Sequence, residues 1–185
     1  MIIFLDFEAS SLGKRGFPVE VGWVGEDGHE EEHLIRPAPD WDEWDAEAER
    51  IHGLTRQRLE REGRPHDAVA RRMVEVLTPH SLYASAPSWD GQWLSRLLRA
   101  AGLPRHALRL KDTEEARRDA ALAALLSEGI DPARQSDLLD AVLRQVAEEA
   151  REASPDHRAL ADAKREMALW RGMADRVRKA LGEAR

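Results

Sequence analysis

The chain has 185 residues, of which 42% are hydrophobic and 34% charged, with a formal net charge of −7 and no cysteine. That length fits one domain around one core, and the missing cysteines exclude a disulfide framework, a thiolate zinc site and a cysteine nucleophile. The acidic balance excludes a nucleic-acid binder that works by overall charge: either nucleic acid is not the partner, or binding is local, over a short stretch and aided by bound cations.

In chain order, "IIFLDF" (Ile2–Phe7) predicts a first strand. Its apolar run, Ile2–Leu5, is far too short for a signal-peptide core or a membrane span, so the expectation is a cytoplasmic protein without a membrane partner. After the loop "SSLGKRG" comes a second strand, "PVEVGWV" (18–24), with Val19, Val21 and Trp23 on one face. "GEDG" predicts a turn into a third strand, 30–36, followed by the loop "PAPDWDEWD". A short helix from Ala46 should stop near Gly53, and a second helix (65–77) carries proline at its first position. A strand at 81–85 leads to a helix over 90–102, and Ala107–Leu110 predicts a short strand. Beyond it the chain reads as amphipathic helices, the last continuous from Ser154 to Leu181 along a stripe of Leu160, Ala163, Met167, Trp170, Ala174, Val177 and Leu181. Strands first, then helices after and between, define a mixed α/β layer protein.

Three acidic places share one logic. Asp6 and Glu8 lie two apart in a strand and so point to the same side, where like charges raise a pKa. Asp90 follows Trp89 where a strand gives way to a helix; taken alone it is a helix cap. His157 and Asp162 stand five residues apart at the start of the last helix, a rotation of about 140° if both are helical. They can reach one site only if His157 lies on the preceding loop or a frayed first turn. That loop should be mobile without substrate, although Ser154-Pro155 predicts an earlier helix start.

Together, "FLDFEASSL", "SAPSWDGQWL" and "HRALADA" resemble the three motifs of the DEDDh, DnaQ-like and RNase T-like, 3′→5′ exonucleases, and "IHGLT" and "RLKDTEEAR" are similar to that family's intervening segments. The resemblance covers about residues 2–172 of a domain spanning 1–185, with a C-terminal helix to about 181. It implies a ribonuclease H-like fold, a mixed central β-sheet flanked by α-helices. It also implies two Mg²⁺ or Mn²⁺ ions about 4 Å apart, held by Asp6, Glu8, Asp90 and Asp162, with His157 as general base. Such cations would relieve the repulsion between Asp6 and Glu8. The sequence departs from the family pattern at Ser11, where a glycine is usual, and at Ala86, where an asparagine is usual.

The substrate implied is a single-stranded 3′ end, contacted by Leu12, Ser10 and Trp89; Lys14 and Arg15 are the local candidates for phosphate contacts, and the acidic balance favours short single strands or recruitment by a protein partner such as a polymerase. His52, Trp41, Trp44 and Trp93 read as packing residues rather than ligand contacts. Two rivals stand beside the exonuclease: a catalytically silent nucleic-acid- or protein-binding module on the same fold, and an endonucleolytic ribonuclease of the same superfamily.

Overall fold

A computed structural model describes residues 1–183, without the side chain of Glu183. Ala184 and Arg185, the end of the single domain expected, lie outside the described residues. The strands are β1 (Ile2–Ala9), β2 (Pro18–Gly25), β3 (Glu30–Arg36), β4 (Arg64–Pro65), β5 (Ser81–Ala84) and β6 (Leu110–Asp112). They form one six-stranded sheet in the order β4-β3-β2-β1-β5-β6. β1–β2 and β2–β3 are antiparallel, whereas β5 runs parallel to β1 and β6 parallel to β5. The helices are α1 (Ala46–His52), α2 (Arg56–Glu62), α3 (His66–Leu77), α4 (Pro87–Ala100), α5 (Thr113–Ser127), α6 (Pro132–Glu152), α7 (Ala159–Arg171) and α8 (Met173–Glu183).

Strand alternation sorts the sheet's residues onto two faces. Ile3, Leu5, Phe7, Val19, Val21 and Trp23 enter the main core with Val69 and Met73 of α3 and Leu94 and Leu97 of α4. The opposite face carries Phe4, Val24 and Tyr83 against Ala116 of α5 and Ala163 and Met167 of α7. Asp6 and Glu8 share the parity of Phe4, so β1 turns them toward α7. Gly22 makes that approach possible: a Cβ there would lie 2.2 Å from the backbone nitrogen of Leu160.

Several boundaries differ from the sequence reading, each for a physical reason. α4 starts at Pro87, with proline in its first turn, so Asp90 sits inside the helix and does not cap it. Pro65 precedes α3 and pairs in β4 with Arg36, so α3 begins at His66. α2 buries only Leu59 and is laced by the pairs Arg56–Glu60 and Arg58–Glu62, so no apolar period announces it. The short strand falls at Leu110–Asp112, beyond the expected Ala107–Leu110.

The last helix starts at Ala159, not Ser154, and is interrupted at Gly172. The interruption lets one apolar stripe serve two cores. Ala163 and Met167 pack on the sheet, with Leu160 and Trp170 beside them. Met173 and Val177 pack with α5 and α6, flanked by Ala174 and Leu181.

Candidate active site

β1, α4 and α7 each deliver acidic groups to one end of the sheet. Oxygen atoms of Asp6, Glu8 and Asp162 all lie within 4.8 Å of one another. Asp90 is not part of that triplet; it is buried, near enough for its charge to act on Asp6, and its Oδ2 has no hydrogen-bond partner among the described residues. Burial and the charges of Asp90, Glu8 and Asp162 push the Asp6 carboxyl well above its ordinary range. Burial, with Asp162, Glu20 and Asp90, raises Glu8 to about 7. Burial raises Asp90 to about 7 as well, opposed by backbone N–H groups at Ala86 and Phe7. Three carboxyls held above their normal range beside a fourth make a site that favours a cation, and oxygen-only ligands suit a hard one.

α7 opens against Glu20, a residue the sequence reading passed over. Glu20 pairs with Glu8 across β1 and β2, is completely buried, and faces the same helix. Its carboxylate accepts from Arg158 Nε (3.1 Å) and Nη2 (2.8 Å), and from the Ala159 N–H (3.0 Å). The cap of α7 therefore comes from another strand, and Arg158 itself supplies no side-chain cap. Arg158 also opposes the rise at Glu8. The only local signal for Glu20 is a carboxylate alternating with valines in "PVEVGWV".

This anchor decides where His157 sits. His157 lies on the loop just before α7, half-buried, with φ 53°. It is the only non-glycine residue with positive φ among the described residues, in a region where histidine is enriched and strain marks functional sites. The loop position is the one the five-residue spacing demanded. The neighbouring Asp156 N–H donates to Asp162 Oδ1 (3.1 Å), and Arg165 Nη1 lies 2.8 Å from the same oxygen. Arg165, one turn along α7, was not singled out in the sequence either.

The remaining candidates divide. Leu12 is 66% and Trp89 38% exposed, two apolar groups open to a ligand. Lys14 is exposed on the same loop as Leu12. Ser10 is completely buried and its hydroxyl accepts from the Phe17 N–H (3.1 Å), so its side chain closes the loop and does not face a substrate. Arg15 lies 3.5 Å from Asp42 and 3.6 Å from Glu43, which engages it elsewhere. Ser11 bonds Glu43 and the Gly13 N–H without positive φ, so the missing glycine costs no strain. Ala86 stands at the N-cap of α4, where it offers no side-chain hydrogen bond. His52 is a buried turn residue, its Nδ1 accepting from the Leu54 N–H (3.0 Å), and Trp41 and Trp93 are buried in the core.

No protein-family model and no curated protein matches this sequence. Among solved structures, the zinc-bound form of an Escherichia coli exonuclease I–single-stranded DNA complex superposes with a TM-score of 0.67 at 19% identity, over 98% of this chain and 42% of that one. E. coli exonuclease I with a dA16 oligonucleotide gives 0.54 at 20% identity, over 70% and 31%. Exonuclease I from Methylocaldum szegediense gives 0.55 at 18%, over 70% and 31%. The chain thus spans less than half the length of these proteins. Likeness at this identity shows the fold: a ribonuclease H-like mixed sheet flanked by helices, as the motifs implied. No helix among the described residues is long and apolar enough to cross a membrane.

Proposed function

We propose that this chain is a metal-dependent 3′→5′ exonuclease that releases nucleoside 5′-monophosphates from single-stranded DNA or RNA ends. The observation that carries this reading is the cluster of Asp6, Glu8 and Asp162, with the charge of buried Asp90 acting on Asp6 and the His157 loop tied to Asp162 through the Asp156 N–H. The fold shared with exonuclease I, seen with single-stranded DNA and with dA16, supports it.

Asp6, Glu8 and Asp162 would hold one Mg²⁺ or Mn²⁺ ion, and Asp6 with Asp90 a second. When bound, such ions stabilise charge on the attacking and leaving oxygens of a phosphodiester. To hold cations the carboxylates would have to give up their protons, and the bound charge would offset the burial that raises all three groups and the repulsion that adds to it at Asp6 and Glu8. His157 accepts a proton from the attacking water at an imidazole nitrogen. Glu20 and Arg158 are positioning residues that fix the loop and the first turn of α7. Leu12 and Trp89 offer apolar surface to the terminal bases.

The test is digestion of 5′-labelled DNA and RNA oligonucleotides side by side, with Mg²⁺, Mn²⁺ or EDTA. A ladder shortening one nucleotide at a time from the 3′ end, abolished by EDTA, is expected. Binding without metal-stimulated release would establish a silent binding module instead, and internal cuts would establish an endonuclease.

A further inference from the structure

Beside the carboxylates, α4, the segment leading into β6 and the β1–β2 loop enclose a groove of about 550 Å³. Its lining includes Lys14, Arg96, Arg99, Arg105 and Arg109, with His106. No carboxylate lines it among the described residues, although the chain has 35 acidic residues against 28 basic ones. The cleft between α5 and α6 shows the contrast, since three arginines there share the lining with Asp112, Glu114, Glu115, Asp137 and Asp140. Most arginines on α1–α3 are committed to ion pairs, as Arg50, Arg56, Arg58, Arg71 and Arg72 are. Among the described residues, none of the five cations of the groove is in an ion pair. Arg96 is the most telling: its guanidinium lies 5.7 Å over the Trp41 ring, and its buried Nε has no hydrogen-bond partner.

The groove also carries an aromatic platform. Trp89 and Trp93 stack with ring centroids 6.0 Å apart and planes 27° apart, and Trp89 is open to solvent. Unpaired cations beside an exposed ring fit a chain of phosphates and bases, since cationic tracks and stacking platforms are how proteins hold single strands. The groove begins at residues that flank Asp90 and follows α4 to Arg99, a path of about 15 Å at 1.5 Å per residue.

We propose that this groove is the track on which a single-stranded nucleic acid lays the phosphates upstream of its 3′ end, with Trp89 stacking a base at the entrance. The polarity of the strand rests on the exonuclease reading; binding in the groove does not. An acidic chain thereby gains a local footprint that its net charge conceals.

The test is fluorescence anisotropy of labelled oligothymidylates of three and twelve nucleotides, in EDTA so that hydrolysis plays no part and its failure cannot be mistaken for failure of the track. Each phosphate contact adds about 0.7 to the slope of log affinity against log salt. The triple variant Arg99→Ser, Arg105→Ser, Arg109→Ser, all exposed positions, should lower the slope for the twelve-mer by about 2 and remove its advantage over the three-mer. Removing three exposed arginines of α6 (Arg134→Ser, Arg144→Ser, Arg151→Ser) should leave both unchanged. Trp89→Ala should weaken binding about fivefold or more at constant slope. Melting curves confirm that every variant is folded. An unchanged slope in the groove variant, an equal loss in the α6 variant, or tighter binding of a polyglutamate peptide than of the twelve-mer would each overturn the proposal, the last in favour of an acidic protein partner.

Discussion

Arg158→Ala isolates the contact that places the His157 loop and the start of α7. Among the described residues, the substitution leaves a completely buried Glu20 carboxylate with the Ala159 N–H as its only remaining donor. Breaking a buried ion pair from one side costs about 3–5 kcal/mol. Arg158, however, is 38% exposed at its side chain, so water partly replaces it. Charged hydrogen bonds of that kind contribute about 1.5–3 kcal/mol, so a loss of about 2 kcal/mol is expected. For a domain of this size that corresponds to a melting-temperature drop of about 4–8 °C. Urea unfolding followed by circular dichroism, in EDTA to exclude stabilisation by bound metal, measures it. Adding Glu20→Gln removes the stranded charge and should restore about 1 kcal/mol. A single variant within about 0.5 kcal/mol of wild type, or a double variant no better than the single, would show that the pair does not anchor this loop.

Four further outcomes follow from the same geometry. Glu8 and Asp90, both raised to about 7, bind protons more readily folded than unfolded. Their contribution to stability is therefore full below the ordinary carboxylate range and lost as pH rises through about 7, so melts in EDTA should fall between about pH 4 and 8. Saturating Mn²⁺ should abolish that fall, and a flat EDTA profile would refute the electrostatic reading. His157→Ala should lower turnover about a hundredfold while keeping Mn²⁺ affinity, and should change the pH–rate profile by removing a general base. An unchanged profile would take His157 out of the mechanism. Asp162→Ala should abolish release from a single strand with little change in melting temperature in EDTA, because the like charge it removes offsets the lost contacts to the Asp156 N–H and Arg165; retention of more than about a tenth of the rate, about 1.4 kcal/mol of barrier, would contradict its role. Gly22→Ala should destabilise by about 1–3 kcal/mol, since its Cβ meets the α7 backbone; neutrality in a denaturant titration would mean that α7 can move away freely.

What could be read from the sequence was whatever repeats locally. Period-two alternation put Asp6 and Glu8 on one side of β1 and Val19, Val21 and Trp23 on one side of β2, and the structure places them so. The five-residue step from His157 to Asp162 required a loop before the helix, and a loop is there. The helix start was misread because Ser154-Pro155 is a good local cap, whereas the real cap is a carboxylate 139 residues away in sequence. Glu20 escaped notice for the same reason: only the β1–β2 register and the arrival of α7 make it more than one polar residue among valines. Ser10 and Arg15, expected at the substrate, have tertiary partners that the sequence does not announce, Phe17 in one case and Asp42 with Glu43 in the other. The groove cations lie on three separate segments, none of which forms a basic run in the sequence.

The most direct measurement of the central claim is a calorimetric titration of Mn²⁺ into wild type and Asp6→Ala, repeated across pH. Asp6 is the one residue that the proposed arrangement gives to both ions, so it is the ligand whose loss should weaken the whole cluster most. Wild type should bind Mn²⁺ with an affinity that rises steeply from about pH 5 to 8, as the raised carboxyls give up their protons, and Asp6→Ala should bind at least tenfold more weakly. Absence of Mn²⁺ binding by the wild type at pH 8, or equal affinity in the variant, would contradict a metal site at these carboxylates.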